Sequence, residues 1–385
     1  MVKRLPLTIG LLAAIVIGCL SHQAAVTNSV AENELSSIVV SRRALTAHGG
    51  RVDWCASNNL IAFDRMTGTD SSEVFVIRPD GSGERCITCS MPGLPKGIRG
   101  QPAWHPSGEF LVIQVQGKFY KGSRFEFVSW GIHNDLWLIA ANGKWAQRLI
   151  ETEYLGASLH PHFSDTGDRL FWTVRESTGK KIRQRLFHKT PGKENPWDGW
   201  HLAIASFNRD VSGKTKLTNR SDFYRGEGGF FESHALKSDV IWFSHTQNGR
   251  PLVDDIYRAR WDGSQRVNIT KSPTTWEEHG EPSPKGSLIT FNSSRSFDWK
   301  NPPDNARTLR LELWARQVNT GKPFRLTDFN HPLTGRGRVL TSDYAWSPSG
   351  REIAVYYATF GRDLSLIHIS EPTRPSKSSR MPSSA

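Results

Sequence analysis

The chain has 385 residues, with 49 Lys or Arg against 37 Asp or Glu, so its formal net charge is +12. This length allows one large domain or two small ones. A basic balance is typical of chains that bind nucleic acid, but the export signal described next excludes that class and favours anionic envelope partners, or a basic surface with no dedicated partner.

The N-terminus has the pattern of a secretory signal. Lys3 and Arg4 precede an apolar run over residues 5–18, which is short for a membrane span. We therefore assign residues 1–19 to a signal peptide and residues 20–35 to a polar tether. Val16-Ile17-Gly18-Cys19 resembles a bacterial lipobox, in which Cys19 would be lipidated; the alternative is cleavage just beyond Cys19. Both alternatives place the protein in the periplasm or at the cell surface.

A short phrase recurs along the chain: a Trp or a substitute, a Gly-containing turn, and a short apolar strand. Its anchor residues, 49 to 70 positions apart, are Trp54, Trp104, Phe163, Ser233, Pro282 and Trp346. Each copy is followed by an alternating strand, a turn and a further strand, as in Val74-Phe75-Val76-Ile77 before Cys86-Ile87-Thr88. Such a unit is a four-stranded antiparallel meander. Six of them predict an all-β protein, a β-propeller of six or seven blades over residues 36–363.

The repeat resembles the TolB-type, or PD40, propeller repeat, which belongs to the WD40-like group. The turns Trp104-His105-Pro106-Ser107-Gly108 and Trp346-Ser347-Pro348-Ser349-Gly350 carry the resemblance. That repeat occurs in envelope proteins, peptidase propellers and lyases, so the resemblance implies a fold and leaves the function open.

The C-terminal segment departs from the repeat. Residues 364–374 match, residue for residue, the translation of a transposon-type sequencing adapter. We therefore predict that residues 364–385 are an artefactual, disordered tail and that the last blade is truncated; a natural Ser/Pro-rich tail is the alternative. An N-terminal strand commonly closes the last blade of a propeller, and Ile38-Val39-Val40 with Ala44-Leu45-Thr46 is the candidate.

Charge and cysteines suggest two further features. Basic residues cluster in a long loop of blade three, at Lys180, Lys181, Arg183, Arg185, His188, Lys189 and Lys193. Beyond Cys19 the chain has Cys55, Cys86 and Cys89, an odd number, so one thiol is left over after one disulfide. Cys86 and Cys89 follow a strand, where pairing is favoured over redox chemistry, although the sequence does not decide the pairing.

Residues just before each anchor are predicted to converge on one mouth of the central channel. Since a strand alternates, positions three and one before an anchor should face the same side. The same spacing also places Phe230, three positions before Ser233, and His105, one position after Trp104, near the channel. The predicted ligand-binding residues are Arg51, Gln101, His160, His162, Glu232, His234, His279, Glu281 and Asp343.

Two interpretations of these residues compete. They can form a hydrogen-bonded polar plug, or they can bind a divalent metal such as Mn or Zn, with His160, His162, His279 and Glu281 as ligands. His160-Pro161-His162-Phe163-Ser164 is similar to the metal-binding motif of oligogalacturonate lyases, which implies a manganese-dependent lyase acting on an anionic saccharide. No G-x-S-x-G motif occurs, and no P-loop or dinucleotide fingerprint follows a strand.

The sequence therefore favours a binding protein over an enzyme. Its expected partner is an envelope protein or an anionic glycan, held by the loops at the channel mouth, with no cofactor required. The alternatives are the metal-dependent lyase or hydrolase and the propeller half of a serine peptidase.

Overall fold

The structure is a computed structural model, and it describes residues 39, 41–122, 131–177, 198–246, 253–297, 308–318, 321–360 and 365–370. The signal peptide, Cys19, the tether and the basic cluster of blade three lie outside these residues. Among the described residues, no helix has both the length and the apolar character that crossing a membrane requires.

Six four-stranded antiparallel sheets account for all the strands described. Blades one and two are β2 (Val52–Trp54), β3 (Ile61–Gly68), β4 (Ser71–Ile77) and β5 (Arg85–Cys86), then β6 (Arg99–Trp104), β7 (Phe110–Gln116), β8 (Asn134–Ala140) and β9 (Ala146–Ile150). Blades three and four are β10 (Ala157–Phe163), β11 (Arg169–Arg175), β12 (Trp200–Arg209) and β13 (Thr215–Phe223), then β14 (Phe231–Lys237), β15 (Val240–Thr246), β16 (Asp254–Arg260) and β17 (Val267–Asn268).

Blade five is β18 (Glu277–Pro282), β19 (Leu288–Ser293), β20 (Glu312–Gln317) and β21 (Pro323–Arg325), followed by a short 3₁₀ helix at Pro332–Thr334. Blade six is β22 (Arg338–Trp346), β23 (Glu352–Phe360), β24 (Ser365–Ser370) and the N-terminal strand β1 (Ser41–Ala47). The first strands β2, β6, β10, β14, β18 and β22 contact one another in succession, and β22 contacts β2. This closed ring confirms the predicted β-propeller.

The repeated phrase forms the same tight turn in several blades. The N–H of Gly108 donates to the carbonyl of His105 over 2.9 Å, and the N–H of Gly350 donates to that of Ser347 over 2.9 Å. Gly108 has a φ of 72°, in the left-handed region that favours glycine. The anchor Trp before each turn is buried between blades: Trp54 packs in one cluster with Tyr356 of blade six. The turn residues and anchors therefore fix the blade boundaries that the sequence predicts.

Blade six closes differently from the expectation. An N-terminal strand does join it, as predicted, but β1 pairs with β24, with Ser41 opposite Ser370. β24 in turn pairs with β23, so residues 365–370 are the third strand of a complete blade and not part of a disordered tail. The unpaired backbone N–H and C=O groups along the edges of β1 and β23 can pair with an extended segment. Residues 366–369, Leu-Ile-His-Ile, have strong β propensity and provide one. The origin of this segment stays a prediction.

Candidate functional site

A layer of buried polar side chains crosses the central channel. It contains Gln101, His160, Glu232, His279 and Asp343, which come from β6, β10, β14, β18 and β22, and each is at most 9% exposed. The sequence predicted that all five converge, and the structure brings them together. The same ring of first strands that defines the propeller therefore also assembles this site.

A β-bulge in these strands places the side chains. The pairing register of β10 shifts by one residue between Leu159 and His162, and that of β18 shifts between Glu278 and Glu281. His160 and His279 lie in these bulges with φ values of 49° and 56°. An extra residue reverses the alternation of the strand beyond it. The expectation that positions three and one before an anchor face the same side is therefore wrong in these strands.

Direct hydrogen bonds join four blades across this layer. Gln101 Nε2 donates to Asp343 Oδ1 over 2.8 Å and lies 2.7 Å from His160 Nδ1. His160 Nε2 lies 2.7 Å from Glu232 Oε1. Because the Nε2 amide of Gln101 can only donate, the neutral form of His160 carries its ring hydrogen on Nε2 and donates it to Glu232. The result is a connected polar plug.

His279 occupies the remaining side of the layer. Its Nε2 lies 3.9 Å from Glu232 Oε1 and 3.9 Å from Asp343 Oδ2. Its backbone N–H donates to His234 Nε2 over 3.1 Å, and its carbonyl accepts from the Tyr344 hydroxyl. The two imidazoles of His234 and His279 thus lie beside the two carboxylates of the plug.

The electrostatics of the layer favour ionised carboxylates. Burial alone would raise the pKa of Asp343, but His279, His160 and Arg51 outweigh it and lower that pKa to about 2. Burial likewise opposes ionisation of Glu232, yet His160 and His279 lower its pKa. Arg51 lies 3.8 Å from Asp64, so its charge is shared with a second carboxylate.

Two further buried carboxyl groups adjoin the layer and were not predicted. Neither oxygen of Asp254 or Glu278 makes a hydrogen bond of ordinary geometry within the described part of the chain. Burial first, and the charge of Glu232 second, raise the pKa of Glu278 well above its usual value. Burial, then Glu278 and Glu232, do the same to the pKa of Asp254. Asp254 lies on a third-position strand, β16, where the anchor spacing gave no signal.

Two groups within the layer have the composition of a metal site. His160, His279 and Asp343 offer ligand atoms within 4.8 Å of one another, and Glu232, His234 and His279 do the same. His160 and His279 of the predicted ligand set belong to these groups. His162 and Glu281 do not belong to either of them. The ligand set supported by the geometry is thus partly different from the predicted one.

Neither of these two groups contains a sulfur ligand. Cys86 and Cys89 form a disulfide, and Cys55 is buried without a disulfide partner. Glu73 lies close to this disulfide, but bonded sulfurs are poor metal ligands because thiolates are required. The pairing favoured by the sequence is the one observed.

A cavity of about 180 Å³ lies against the plug, between the C-terminal ends of the first strands and the turns that follow them. Gln101 and Asp343 belong to both the plug and the cavity lining, and His234, which borders the plug, also lines the cavity. The other polar or aromatic lining residues are Arg51, Asp53, Trp54, Trp104, His105, His162, Phe163, Ser164, Asp165, Lys237, Glu281 and Tyr344. Asp53, at the position one before Trp54, follows the same spacing as His162 and was missed.

The cavity has its own pattern of ionisation. Burial raises the pKa of Glu281 to about 8, although Lys237 opposes this effect. Burial, together with the charge of His160, lowers the pKa of His162 to about 3, and its Nε2 lies 3.1 Å from the carbonyl of Ser233. The Lys237 ammonium lies 3.4 Å from an Asp165 carboxylate oxygen. Near neutral pH, Glu281 and His162 are therefore both largely uncharged.

Two residues that the spacing brought near the channel take other roles. Phe230 packs edge-on against Trp200 in an inter-blade core, with ring centroids 4.8 Å apart. His105 borders the cavity, but its ring packs at 4.3 Å on Phe110 and its Nδ1 bonds the hydroxyl of Ser107.

Comparison with known proteins gives matches to solved structures only, since no family model and no curated protein matches the chain. TolB from Acinetobacter baumannii is 12% identical, with a TM-score of 0.46 over 85% of this chain and 64% of that one. An oligogalacturonate lyase in complex with manganese is 10% identical, with a TM-score of 0.46 over 88% and 95%. An acylaminoacyl peptidase is 11% identical, with a TM-score of 0.46 over 85% and 46%. The chain thus spans less than two thirds of the TolB and peptidase chains, and these likenesses carry no argument about function.

Proposed function

We propose that this propeller is a binding protein that receives a group of a partner molecule in the cavity at one mouth of its channel. The observation that carries the proposal is a solvent-reached cavity of about 180 Å³ whose inner end is the hydrogen-bonded plug. Concave sites with a few converging polar groups and aromatic walls are the usual form of ligand sites.

The plug suits a binding function because it is rigid. Its hydrogen bonds join blades two, three, four and six, so a partner group meets a preorganised inner surface. Preorganisation reduces the entropy lost on binding. The lining residues come from all six blades, which makes the cavity a property of the closed ring.

The expected partner is a protein or a glycan of the cell envelope. This part of the proposal rests on the N-terminal export pattern read in the sequence. The short turns around the cavity, including the exposed Ala56, are the first surface that an approaching partner would meet.

Site-specific photocrosslinking tests the proposal. A photoreactive amino acid at Ala56, which lines the cavity, should give a discrete adduct in intact cells of the source organism. The same amino acid at Lys285, an exposed residue on the equivalent turn of blade five outside the cavity lining, is the matched control. Equal labelling at both sites, or none at either, would reject a partner at this mouth.

The second candidate function is that of a metal-dependent enzyme acting on an anionic saccharide. It is favoured by the two ligand groups that share His279 and by Gln101 Oε1, a buried oxygen without a hydrogen-bond partner among the described residues. Imidazole, carboxylate and amide oxygen together suit Mn²⁺ or Zn²⁺. Such an ion would supply a Lewis acid at the inner end of the cavity.

His279 belongs to both ligand groups and makes the looser contacts, with its Nε2 3.9 Å from Glu232 Oε1 and 3.9 Å from Asp343 Oδ2. Both ring nitrogens of His160 already face hydrogen-bonding partners, Gln101 and Glu232. His160 would have to exchange one of these contacts for a metal bond. In the arrangement observed, its role is to orient Glu232.

A further inference from the structure

Carboxyl groups outnumber cationic side chains in the lining of the cavity, whereas cationic residues outnumber acidic ones in the chain as a whole. Its lining contains four carboxyl groups, from Asp53, Asp165, Glu281 and Asp343, and two cationic side chains, from Arg51 and Lys237. Both cations already have partners, because Arg51 lies 3.8 Å from Asp64 and Lys237 lies 3.4 Å from Asp165. Glu281 is largely uncharged near neutral pH and contributes acceptor oxygens rather than a charge, so the lining is rich in carboxyl oxygens within a chain of net charge +12.

A buried acceptor without a partner lines the cavity as well. Gln101 is 5% exposed, and its Oε1 makes no hydrogen bond with any described residue. The amide cannot simply turn over, since its Nε2 donates to Asp343 and contacts His160. A buried acceptor in this state costs free energy until a donor reaches it. A ligand that enters to this depth therefore needs an N–H or O–H donor at its tip.

Aromatic side chains border the cavity as well. Trp54, Trp104, Phe163 and Tyr344 line the cavity together with the carboxyl groups. Aromatic faces attract ammonium and guanidinium groups through the ring quadrupole. Anionic groups meet the opposite conditions here, because they would approach carboxylates whose nearby cations are already paired.

We propose that the cavity binds a primary ammonium group presented by the partner. An ammonium is compact and has three donors that diverge from one atom, which matches acceptors spread around a small cavity; a planar guanidinium needs a fork of two parallel acceptors. The inference rests on the proposed binding function and specifies the chemistry of the same site. Lys237 shows that the cavity wall already holds one ammonium beside a carboxylate.

Calorimetric titration of the purified chain with small probes tests this inference. Nα-acetyl-lysine methylamide presents a side-chain ammonium, and glucosamine presents an amino sugar. Their acetylated counterparts, with the same skeleton and no charge, are the controls. We expect at least one charged probe to bind about tenfold more tightly than its neutral counterpart, because one charge-assisted contact is of that size. Preference for the lysine probe indicates a protein partner, and preference for glucosamine indicates a glycan.

Two variants with opposite expected effects separate binding from folding. Asp165→Asn should weaken the charged probe about tenfold, and Lys237→Gln should strengthen it, because the first removes a carboxylate from the lining and the second removes a competing cation. Glu109→Gln, at an exposed carboxyl outside the lining, should change nothing. The inference is overturned if charged and neutral probes bind alike, or if both cavity variants shift affinity in the same direction. A crosslink at Ala56 without ammonium preference would leave the binding function standing and reject only this ligand class.

Discussion

Gln101 of blade two donates a hydrogen bond to Asp343 of blade six over 2.8 Å, although 242 residues separate them in the chain. The contact crosses from one side of blade one to the other, since blade one lies between these two blades in the ring. It is one of three short contacts that connect blades two, three, four and six around the channel. The geometry of the candidate site therefore depends directly on closure of the ring.

The first prediction concerns this contact. We expect Gln101→Ala and Asp343→Ala each to lower the free energy of unfolding by about 1–3 kcal/mol, because each leaves a buried polar group without its partner. The double variant should lose less than the sum, with a coupling energy of about 1 kcal/mol. Urea denaturation of the four proteins measures the cycle. Additive losses would show that the contact does not stabilise the ring.

The second prediction is a pH dependence at His245, which is buried away from the channel. Its Nε2 lies 2.9 Å from the carbonyl of Gly228, its Nδ1 lies 2.8 Å from Arg266, and its ring stacks on Phe231 at 3.9 Å. Burial lowers its pKa to about 4. Between pH 6.5 and about 4 the unfolded chain binds a proton that folded His245 does not, so stability falls as the pH falls.

The loss attributable to His245 should reach about 3 kcal/mol at pH 4, since each pKa unit is worth about 1.4 kcal/mol. Other buried histidines titrate in the same direction, so the test is a difference. His245→Gln should flatten the stability profile in this window when thermal unfolding is followed from pH 7 to pH 4. Parallel profiles for the two proteins would contradict the assignment.

The third prediction concerns closure of blade six. A chain that ends at Asp363 lacks β24 and leaves the facing edges of β1 and β23 unpaired. We expect a lower melting temperature and concentration-dependent aggregation, because exposed strand edges recruit other chains. Thermal unfolding with light scattering measures both effects. A chain that ends at Ser370 retains both ladders and is the control. Equal behaviour of the two chains would show that β24 does not contribute to the stability of the fold.

The adapter origin of residues 364–385 has a separate check. Sequencing the source gene beyond Asp363 would either return the same residues or a different natural continuation. A different continuation is expected to supply its own strand between β1 and β23, because the backbone N–H and C=O groups of those edges would otherwise remain unpaired.

The fourth prediction concerns the metal. If Mn²⁺ or Zn²⁺ binds in the channel, His279→Ala should abolish binding, since His279 belongs to both ligand groups, and His160→Ala should weaken it. His162→Ala is the matched control, because His162 belongs to neither group. Metal content after dialysis and calorimetric affinity are the measurements. Equal loss in His162→Ala and His279→Ala would instead support the ligand set read from the sequence.

Turns and anchors explain how much of the fold was predictable. The Gly of each turn and the Trp before it act locally, so their spacing marked the blades without any knowledge of contacts. The bulges at His160 and His279 carry no comparable signal, because a positive φ at a histidine depends on what the ring of neighbouring strands requires. Alternation was therefore the wrong rule at the very positions that build the site.

The amino-acid sequence by itself determined the repeat, its four-stranded unit, the buried anchors and most of the polar residues that approach the channel, because these follow from patterns within some 50 residues. Tertiary structure alone decided which of those residues meet. It placed His160 and His279 with Glu232 and Asp343, moved His162 and Glu281 to the cavity with Lys237, and paired β24 with β1. Each of these outcomes depends on strands from distant blades closing one ring, and on one extra residue that reverses the direction of the side chains beyond it.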